Sequence, residues 1–132
     1  MPRAEPNTAV VFFAHGSSIE SANQAVREVA RAAASLGGFA LWETAFLEGG
    51  RPDLAGAVAK LAAAGAARIV VIPYFLTLGL HLQRDLPRLA AELAAAYKDI
   101  EILCGDPLDG HPALAEILAD RATQALQKLA PR

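Results

Sequence analysis

Residues 8–18 constrain the fold of this 132-residue chain more than any other stretch. Residues 9–14 are an apolar run that favours β-structure, and such a run is typical of a strand buried on both faces. Gly16 ends the run, and a helical pattern follows for which Ser17 or Ser18 is the expected N-cap. His15 is therefore predicted at the carboxyl end of a central strand, where open α/β sheets bind their ligands.

Strand and helix patterns then alternate along the chain. Further strands are predicted over residues 39–47, 68–75 and 100–104, and the second of these three is the clearest buried strand. Amphipathic patterns predict helices over residues 19–36, 52–65, 85–97 and 113–129. Gly37 and Gly38 are expected to cap the first helix, and Pro52 to lie in the first turn of the second. In the third, we expect Asp85 as N-cap and Pro87 in the first turn.

This βαβαβαβα order predicts one α/β domain in which helices cover both faces of a four-stranded parallel sheet. The arrangement is flavodoxin-like. We expect the domain to span residues 1–132, with an ordered core over about residues 8–129.

Composition excludes several classes of function. The formal charge of −2 argues against nonspecific nucleic-acid binding. Cys104 is the single cysteine, so an internal disulfide is impossible, which fits a reducing compartment. Residues 1–7 lack the pattern of a signal peptide, and no apolar run approaches the roughly 20 residues that span a bilayer. We therefore expect a soluble, cytoplasmic protein whose core is made of Ala, Leu, Val and Ile.

Three ligand-type side chains follow successive predicted strands. His15 follows the first strand, Glu48 the second, and His81 lies in the loop after the third. Because the carboxyl ends of parallel strands meet at one edge of a sheet, these side chains could converge there. Two imidazoles and a carboxylate leave open positions on a divalent ion, as catalytic and transfer sites require. The alternative is that they are ordinary loop residues.

An ordered set of motifs across nearly the whole chain resembles the sirohydrochlorin chelatase family, in particular its short, single-domain cobaltochelatases of the CbiX type. The motifs are His15-Gly16-Ser17 with Asn23, Ala45-Phe46-Leu47-Glu48 followed by Pro52, residues 68–73, Gly79-Leu80-His81-Leu82 with Asp85-Leu86-Pro87, Gly105-Asp106-Pro107-Leu108, and His111-Pro112. The resemblance implies a chelatase-like fold and a lyase that inserts cobalt, nickel or iron into sirohydrochlorin, for cobalamin or siroheme biosynthesis. The metal ion is then a substrate, and no organic cofactor is implied.

The same resemblance places the metal and catalytic positions of the family on His15, Glu48 and His81. A neutral imidazole can hold a metal ion or accept a pyrrole proton, and a carboxylate can neutralise charge on the ion. Which histidine serves which role is left open by the sequence.

One residue departs from the family pattern. The family commonly has Arg after His-Gly-Ser, whereas this chain has Ser18. Sirohydrochlorin carries many carboxylates, which arginine binds well, so the substitution could shift substrate or metal preference. We expect substrate contacts from Ser17, Ser18, Arg51 and Arg84. The alternative for the arginines, and for Arg88 nearby, is a role as solvated surface charges.

Two other functions remain open from the sequence. The first is a metal or tetrapyrrole carrier that uses the same residues without turnover. The second is a module that binds phosphate at the Gly16-Ser17-Ser18 helix start, which leaves Glu48 and His81 unexplained. For the chelatase we expect a homodimer, because a large flat macrocycle needs a cleft with two walls and longer members of the family carry two such domains.

The remaining unusual residues have structural interpretations. We expect His111 at the start of the last helix and Cys104 as a small buried residue, and the alternative for each is a role as metal ligand. We expect Trp42 in the core or an interface, and Tyr74 and Phe75 in core packing, although either of the last two could face a flat ring.

Overall fold

The computed structural model describes residues 7–129. Its elements, in chain order, are β1 (Thr8–Ala14), α1 (Glu20–Gly37), β2 (Leu41–Phe46), α2 (Leu54–Ala63), β3 (Arg68–Tyr74), α3 (Leu80–Ala96), β4 (Glu101–Cys104) and α4 (Ala113–Gln127). The strands form one parallel sheet in the order β2-β1-β3-β4. The predicted α/β fold is confirmed, while the ends of the predicted 1–132 domain, residues 1–6 and 130–132, lie outside the described residues.

Strand β1 lies between β2 and β3, so the strand order reverses at its position. Ala14, the last residue of β1, pairs with both Phe46 of β2 and Tyr74 of β3. The carboxyl ends of the three strands are therefore level, and the loops after β1 and β2 begin side by side. A crevice at such a switch point is where open α/β sheets bind ligands.

The main core fills the space between the sheet and helices α2 and α3. Ala9, Val11 and Phe13 of β1 contribute to it from the centre of the sheet, and all three are fully buried or nearly so. Burying a side chain such as Phe13 stabilises the fold by about 1.5–3 kcal/mol relative to leaving it exposed. Helix α1 packs on the opposite face, against β1 and β2. These two layers hold the carboxyl ends of the strands in fixed positions.

The burial of strand β3 differs from the prediction. Ile69, Val71 and Pro73 are buried on the core face, whereas the side chains between them, on the α1 face, are partly exposed. The prediction of β3 as the clearest buried strand is wrong, because α1 packs mainly on β1 and β2. On β1, every residue except Phe12 is buried, as expected for a central strand.

The starts of two helices also differ from prediction. The N-cap of α1 is Ile19 rather than Ser17 or Ser18, because the Ser17 hydroxyl accepts a hydrogen bond from the Ile19 N–H before the helix begins (3.0 Å). Pro52 precedes α2 rather than lying in its first turn, because the Asp53 carboxylate caps the helix by accepting from the Gly56 N–H (2.8 Å). Gly38 caps α1 in the left-handed conformation, as predicted.

Helix α3 begins at Leu80, five residues before the predicted N-cap Asp85, and Pro87 lies inside it. Leu82, Leu86 and Leu89 recur at helical spacing and all pack on the core, so burial favours helix through this segment. His81 consequently lies in the first turn of a helix rather than in a loop. No helix within residues 7–129 combines the length and apolar character needed to cross a membrane.

Candidate metal-insertion site

His15 and Glu48 are brought together by strand pairing that continues past the ends of β1 and β2. The Leu47 N–H donates to the Ala14 carbonyl oxygen (2.9 Å), and the Glu48 N–H donates to the His15 carbonyl oxygen (3.0 Å). The two side chains then meet, with His15 Nε2 3.6 Å from Glu48 Oε1. They are 61% and 70% exposed, so a ligand can reach both from solvent.

The orientation of the His15 ring follows from its neighbours. His15 Nδ1 lies 3.2 Å from the Gly16 carbonyl oxygen. A carbonyl oxygen can only accept, so in the neutral ring Nδ1 is assigned the hydrogen and Nε2, which faces Glu48, the lone pair. The ring also contacts Phe75 edge to face, with centroids 6.4 Å apart, and Phe75 packs in the same way on Phe13 of the core (5.9 Å). The imidazole therefore has support on one side and solvent on the other.

Two glycines allow the loops after β1 and β2 to pack backbone against backbone. Gly16 has φ of +90°, and a Cβ there would lie 1.7 Å from the Glu48 carbonyl oxygen. Gly49 has φ of +71°, and a Cβ there would lie 2.7 Å from the carbonyl carbon of Ser17. Residues with a side chain rarely adopt these conformations, and no side chain fits the space. The short distance between His15 and Glu48 thus depends on glycine at both positions.

Asn23, on the buried face of α1, links the same two loops. Its Oδ1 accepts from the Ser17 N–H (2.9 Å), and its Nδ2 donates to the carbonyl oxygens of Ser17 (2.9 Å) and Gly49 (3.0 Å). The side chain is 1% exposed, so these bonds replace every contact with water. The sequence contained the relevant signal, a polar residue on the apolar face of a predicted helix, but this linking role was not predicted.

His81 is the third residue predicted for this site. It is exposed in the first turn of α3, which begins at the same edge of the sheet. Within residues 7–129, no three His, Cys, Asp or Glu side chains lie close enough together to hold a metal ion. The structure therefore brings the side chains of His15 and Glu48 together, and His81 is not part of this cluster.

The residues predicted to contact substrate occupy different parts of this edge. Ser17 is half-buried, because its backbone is held by Asn23, and Ser18 is exposed. Arg51 is exposed and lines an open cleft of about 440 Å³ together with Leu47 and both glycines of the β2–α2 loop. Arg84 is exposed on α3, and Arg88, one turn later, pairs with Asp85 (3.2 Å).

The other residues singled out from sequence lie as follows. His111 Nδ1 accepts from the Ala113 N–H (3.0 Å) at the start of α4, as predicted. Cys104 is exposed, so its prediction as a buried residue is wrong: edge strand β4 leaves it uncovered, although partial burial still raises the pKa of its thiol. Trp42 packs edge to face on Phe12 (6.4 Å), and Tyr74 lines a cavity of about 220 Å³ beside His15.

Comparison with protein families matches the chain to the family described as CbiX, over residues 9–125. The chain is similar to a sirohydrochlorin cobaltochelatase of Methanopyrus kandleri, with 32% identity over 89% of this chain and 96% of that protein. It is also similar to a sirohydrochlorin cobaltochelatase of Saccharolobus islandicus, with 38% identity over 68% and 75% of the two chains. A chloroplastic sirohydrochlorin ferrochelatase of Arabidopsis thaliana is 30% identical over 89% of this chain and 52% of that protein.

Solved structures share the fold. A CbiX protein of Marinobacter aquaeolei VT8 superposes with a TM-score of 0.81 and 24% identity, over 92% of this chain and 99% of that one. The chelatase SirB of Bacillus subtilis subspecies spizizenii, solved in complex with cobalt, superposes with a TM-score of 0.82 and 24% identity, over 89% of this chain and 50% of that one. The described domain thus corresponds to about half of the longer protein.

Proposed function

Because the chain belongs to the CbiX family, we propose that it inserts a divalent metal ion into sirohydrochlorin, with His15 and Glu48 at the site of insertion. Cobalt is the proposed metal, because two relatives that the chain covers over 96% and 75% of their length are named cobaltochelatases. Nickel and iron are the alternatives, and the plant relative is named a ferrochelatase. The metal is a substrate, and the reaction needs no further cofactor.

The observation that carries this proposal is the geometry of the His15–Glu48 pair. In the neutral ring, the Nε2 lone pair faces a Glu48 carboxylate oxygen across 3.6 Å, which is too long for a hydrogen bond. Both atoms are then available to bind a cation. Metal–ligand bonds of about 2.1 Å to nitrogen and oxygen span this distance at an angle of roughly 120°, close to tetrahedral. A divalent cation therefore fits between the two atoms, and its remaining positions are open to solvent and to a macrocycle.

Insertion exchanges one divalent ion for the two pyrrole protons of the ring. His15 Nε2 can release the ion and then accept one proton, because a neutral imidazole serves as ligand or base, and the second proton passes to His81 or to solvent water. Glu48 compensates positive charge on the ion before transfer and on the imidazole after it. His81, in the first turn of α3, is the second proposed imidazole, and its position at the same edge of the sheet supports this role.

Exposed apolar residues lie at the same edge of the sheet as the pair. Leu47 directly follows β2, Leu76 lies in the connection after β3, and Leu80 is the first residue of α3. All three side chains are exposed. Such a surface suits the flat face of a macrocycle. Arg51 and Arg84, together with the hydroxyls of Ser17 and Ser18, are the proposed partners of its carboxylates. Because Ser18 stands where the family commonly has arginine, this chain has one cation fewer for binding the carboxylates of the macrocycle.

The proposed working unit is a homodimer in the cytoplasm. One four-stranded domain offers a single rim, and a second copy would supply the other wall of a cleft for the macrocycle. A cytoplasmic location is consistent with a lone, unpaired cysteine.

A direct assay tests the function. Purified protein is mixed with sirohydrochlorin and cobalt(II), and the absorption change of the macrocycle is followed against a control without protein. We expect many turnovers per chain at a rate well above that of the control. A single stoichiometric change without turnover would instead indicate a carrier, and a rate equal to the control would exclude both chelation and the proposed mechanism.

A further inference from the structure

Helix α1 starts at a residue that is poorly suited to its position. Ile19 is the N-cap, and its side chain makes no hydrogen bond to the first turn of the helix. Helices prefer Ser, Thr, Asp or Asn at the N-cap, because a side-chain oxygen there accepts from an N–H group of the first turn, and isoleucine is among the least favoured residues. The helix therefore lacks a stabilising contact that a single substitution could supply.

The other helices within residues 7–129 start differently. The Asp53 carboxylate caps α2, and His111 accepts from the Ala113 N–H at the start of α4. Helix α3 has Gly79 as its N-cap, and glycine is tolerated there much better than an aliphatic residue. Each helix follows a strand of the parallel sheet, so each starts at the carboxyl edge. The exception is α1, which follows the loop that carries His15.

The Ile19 side chain does not compensate by packing in its own chain. It is 64% exposed, and within residues 7–129 it belongs neither to the core nor to the residues packed against the core. Its backbone is nevertheless fixed, because its N–H donates to the Ser17 hydroxyl (3.0 Å) and the Ser17 backbone is bonded to Asn23. A single exposed apolar residue is ordinary, but one that also takes the place of a helix cap points to a ligand.

The position of Ile19 relative to the site indicates which ligand. It lies four residues after His15, so the two Cα atoms are at most about 14 Å apart. Helices α1 and α3 cover opposite faces of the sheet, and Leu80, the first residue of α3, is 66% exposed. Exposed aliphatic side chains therefore lie on both sides of the edge where His15 meets Glu48. A large flat ring that brings its central nitrogens to this pair extends over the neighbouring residues, and its apolar surface favours such partners.

We propose that Ile19 is a substrate-contact residue, whose side chain packs on the apolar surface of the tetrapyrrole held at the His15–Glu48 pair. Helix α1 is less stable than it could be because residue 19 serves the ligand, a conflict that is typical of functional sites. The proposal rests on the chelatase function proposed above. It adds a residue that recognises apolar area to Arg51 and Arg84, which are proposed to bind charge.

The substitution Ile19→Ser separates this role from a structural one. Serine can cap α1, so we expect the melting temperature, followed by circular dichroism, to rise by roughly 2–5 °C. The same variant loses the apolar contact. Covering an isoleucine that is 64% exposed corresponds to roughly 5- to 30-fold in affinity, so we expect the Kd for metal-free sirohydrochlorin to rise by that factor. Titration of the macrocycle with protein, followed by its fluorescence, measures the Kd.

Two further variants are the controls. Ile19→Val keeps most of the aliphatic surface and adds no cap, so both the Kd and the melting temperature should stay close to those of the wild type. Leu36 is 86% exposed in the last turn of α1, at the opposite end of the helix. Leu36→Ser therefore removes apolar surface away from the site, and we expect an unchanged Kd and no rise in melting temperature.

Three results would overturn the proposal. They are a Kd of Ile19→Ser equal to that of the wild type, a Kd raised as much by Leu36→Ser, and a melting temperature of Ile19→Ser at or below that of the wild type. The binding assay contains no metal ion. A wild type that binds sirohydrochlorin without inserting cobalt would therefore contradict the proposed function alone, whereas a wild type that does not bind it would contradict both.

Discussion

The buried amide of Asn23 fixes the relation between the two loops of the site. One side chain makes three hydrogen bonds to Ser17 and Gly49, and these loops carry His15 and Glu48. Bonds of this kind contribute little net free energy while they are made, but leaving a buried partner unsatisfied costs about 1–3 kcal/mol. Asn23 therefore acts by positioning, with no contact to the reacting atoms.

Replacing Asn23 by Ala should lower the free energy of unfolding by about 1–3 kcal/mol, because the Ser17 N–H and the Gly49 carbonyl lose their partner. Urea unfolding followed by circular dichroism measures the change. Gln24→Ala is the matched control, since Gln24 is exposed one residue later on the same helix. Equal stability of the two variants would show that the three bonds do not hold the loops together.

The sequence revealed part of this arrangement. His15 and Glu48 could be placed at one edge because each follows an apolar run, and strand pairing confirms that they meet. The Asn23 bonds were beyond prediction, since they join atoms whose relative positions depend on how two loops cross. Burial of Cys104 was predicted from residue type, but exposure depends on whether a neighbouring element covers β4.

The crossing of the β1–α1 and β2–α2 loops is the feature of local structure on which the site most depends. We expect Gly16→Ala to lower the free energy of unfolding by about 2 kcal/mol or more, because a Cβ would collide with the Glu48 carbonyl and φ is +90°. Guanidinium unfolding measures the loss, and the same variant should lose metal insertion while it remains folded.

Gly79→Ala is the control for this substitution. Gly79 precedes α3 with a φ of −69°, and a Cβ added there would have no other atom within 4 Å, so an alanine fits. Gly79 is the N-cap of α3, where alanine is less favourable than glycine, so we expect a loss of only about 0.5–1 kcal/mol. A Gly16→Ala variant as stable as Gly79→Ala would mean that the loops do not need to approach each other so closely.

Helix boundaries were less predictable than helix identity. Periodicity identified all four helices, but the pattern Asp85-Leu86-Pro87 suggested a helix start in the middle of α3. Proline in a helix interior costs about 3 kcal/mol, so the local signal was reasonable. The packing of Leu82 and Leu86 on the core outweighs it, and this packing becomes visible only once the sheet is formed.

The domain as a whole follows from the alternation of its strand and helix patterns, which determined the parallel sheet. Which surfaces would remain open was not predictable, because an apolar residue on β3 has the same sequence signal whether its own chain or another copy covers it. The amphipathic pattern of α4 likewise does not indicate which surface the apolar side of the helix packs on.

The central claim is that the exposed pair at the carboxyl edge of this domain inserts the metal ion. The most direct measurement compares initial rates of cobalt insertion for His15→Ala, the matched variant His111→Ala and the wild type, with folding checked by circular dichroism. We predict a loss of roughly 100-fold or more for His15→Ala, since a positioned proton acceptor contributes at least that much, and a near-normal rate for His111→Ala. A folded His15→Ala variant that works as fast as His111→Ala would contradict the claim.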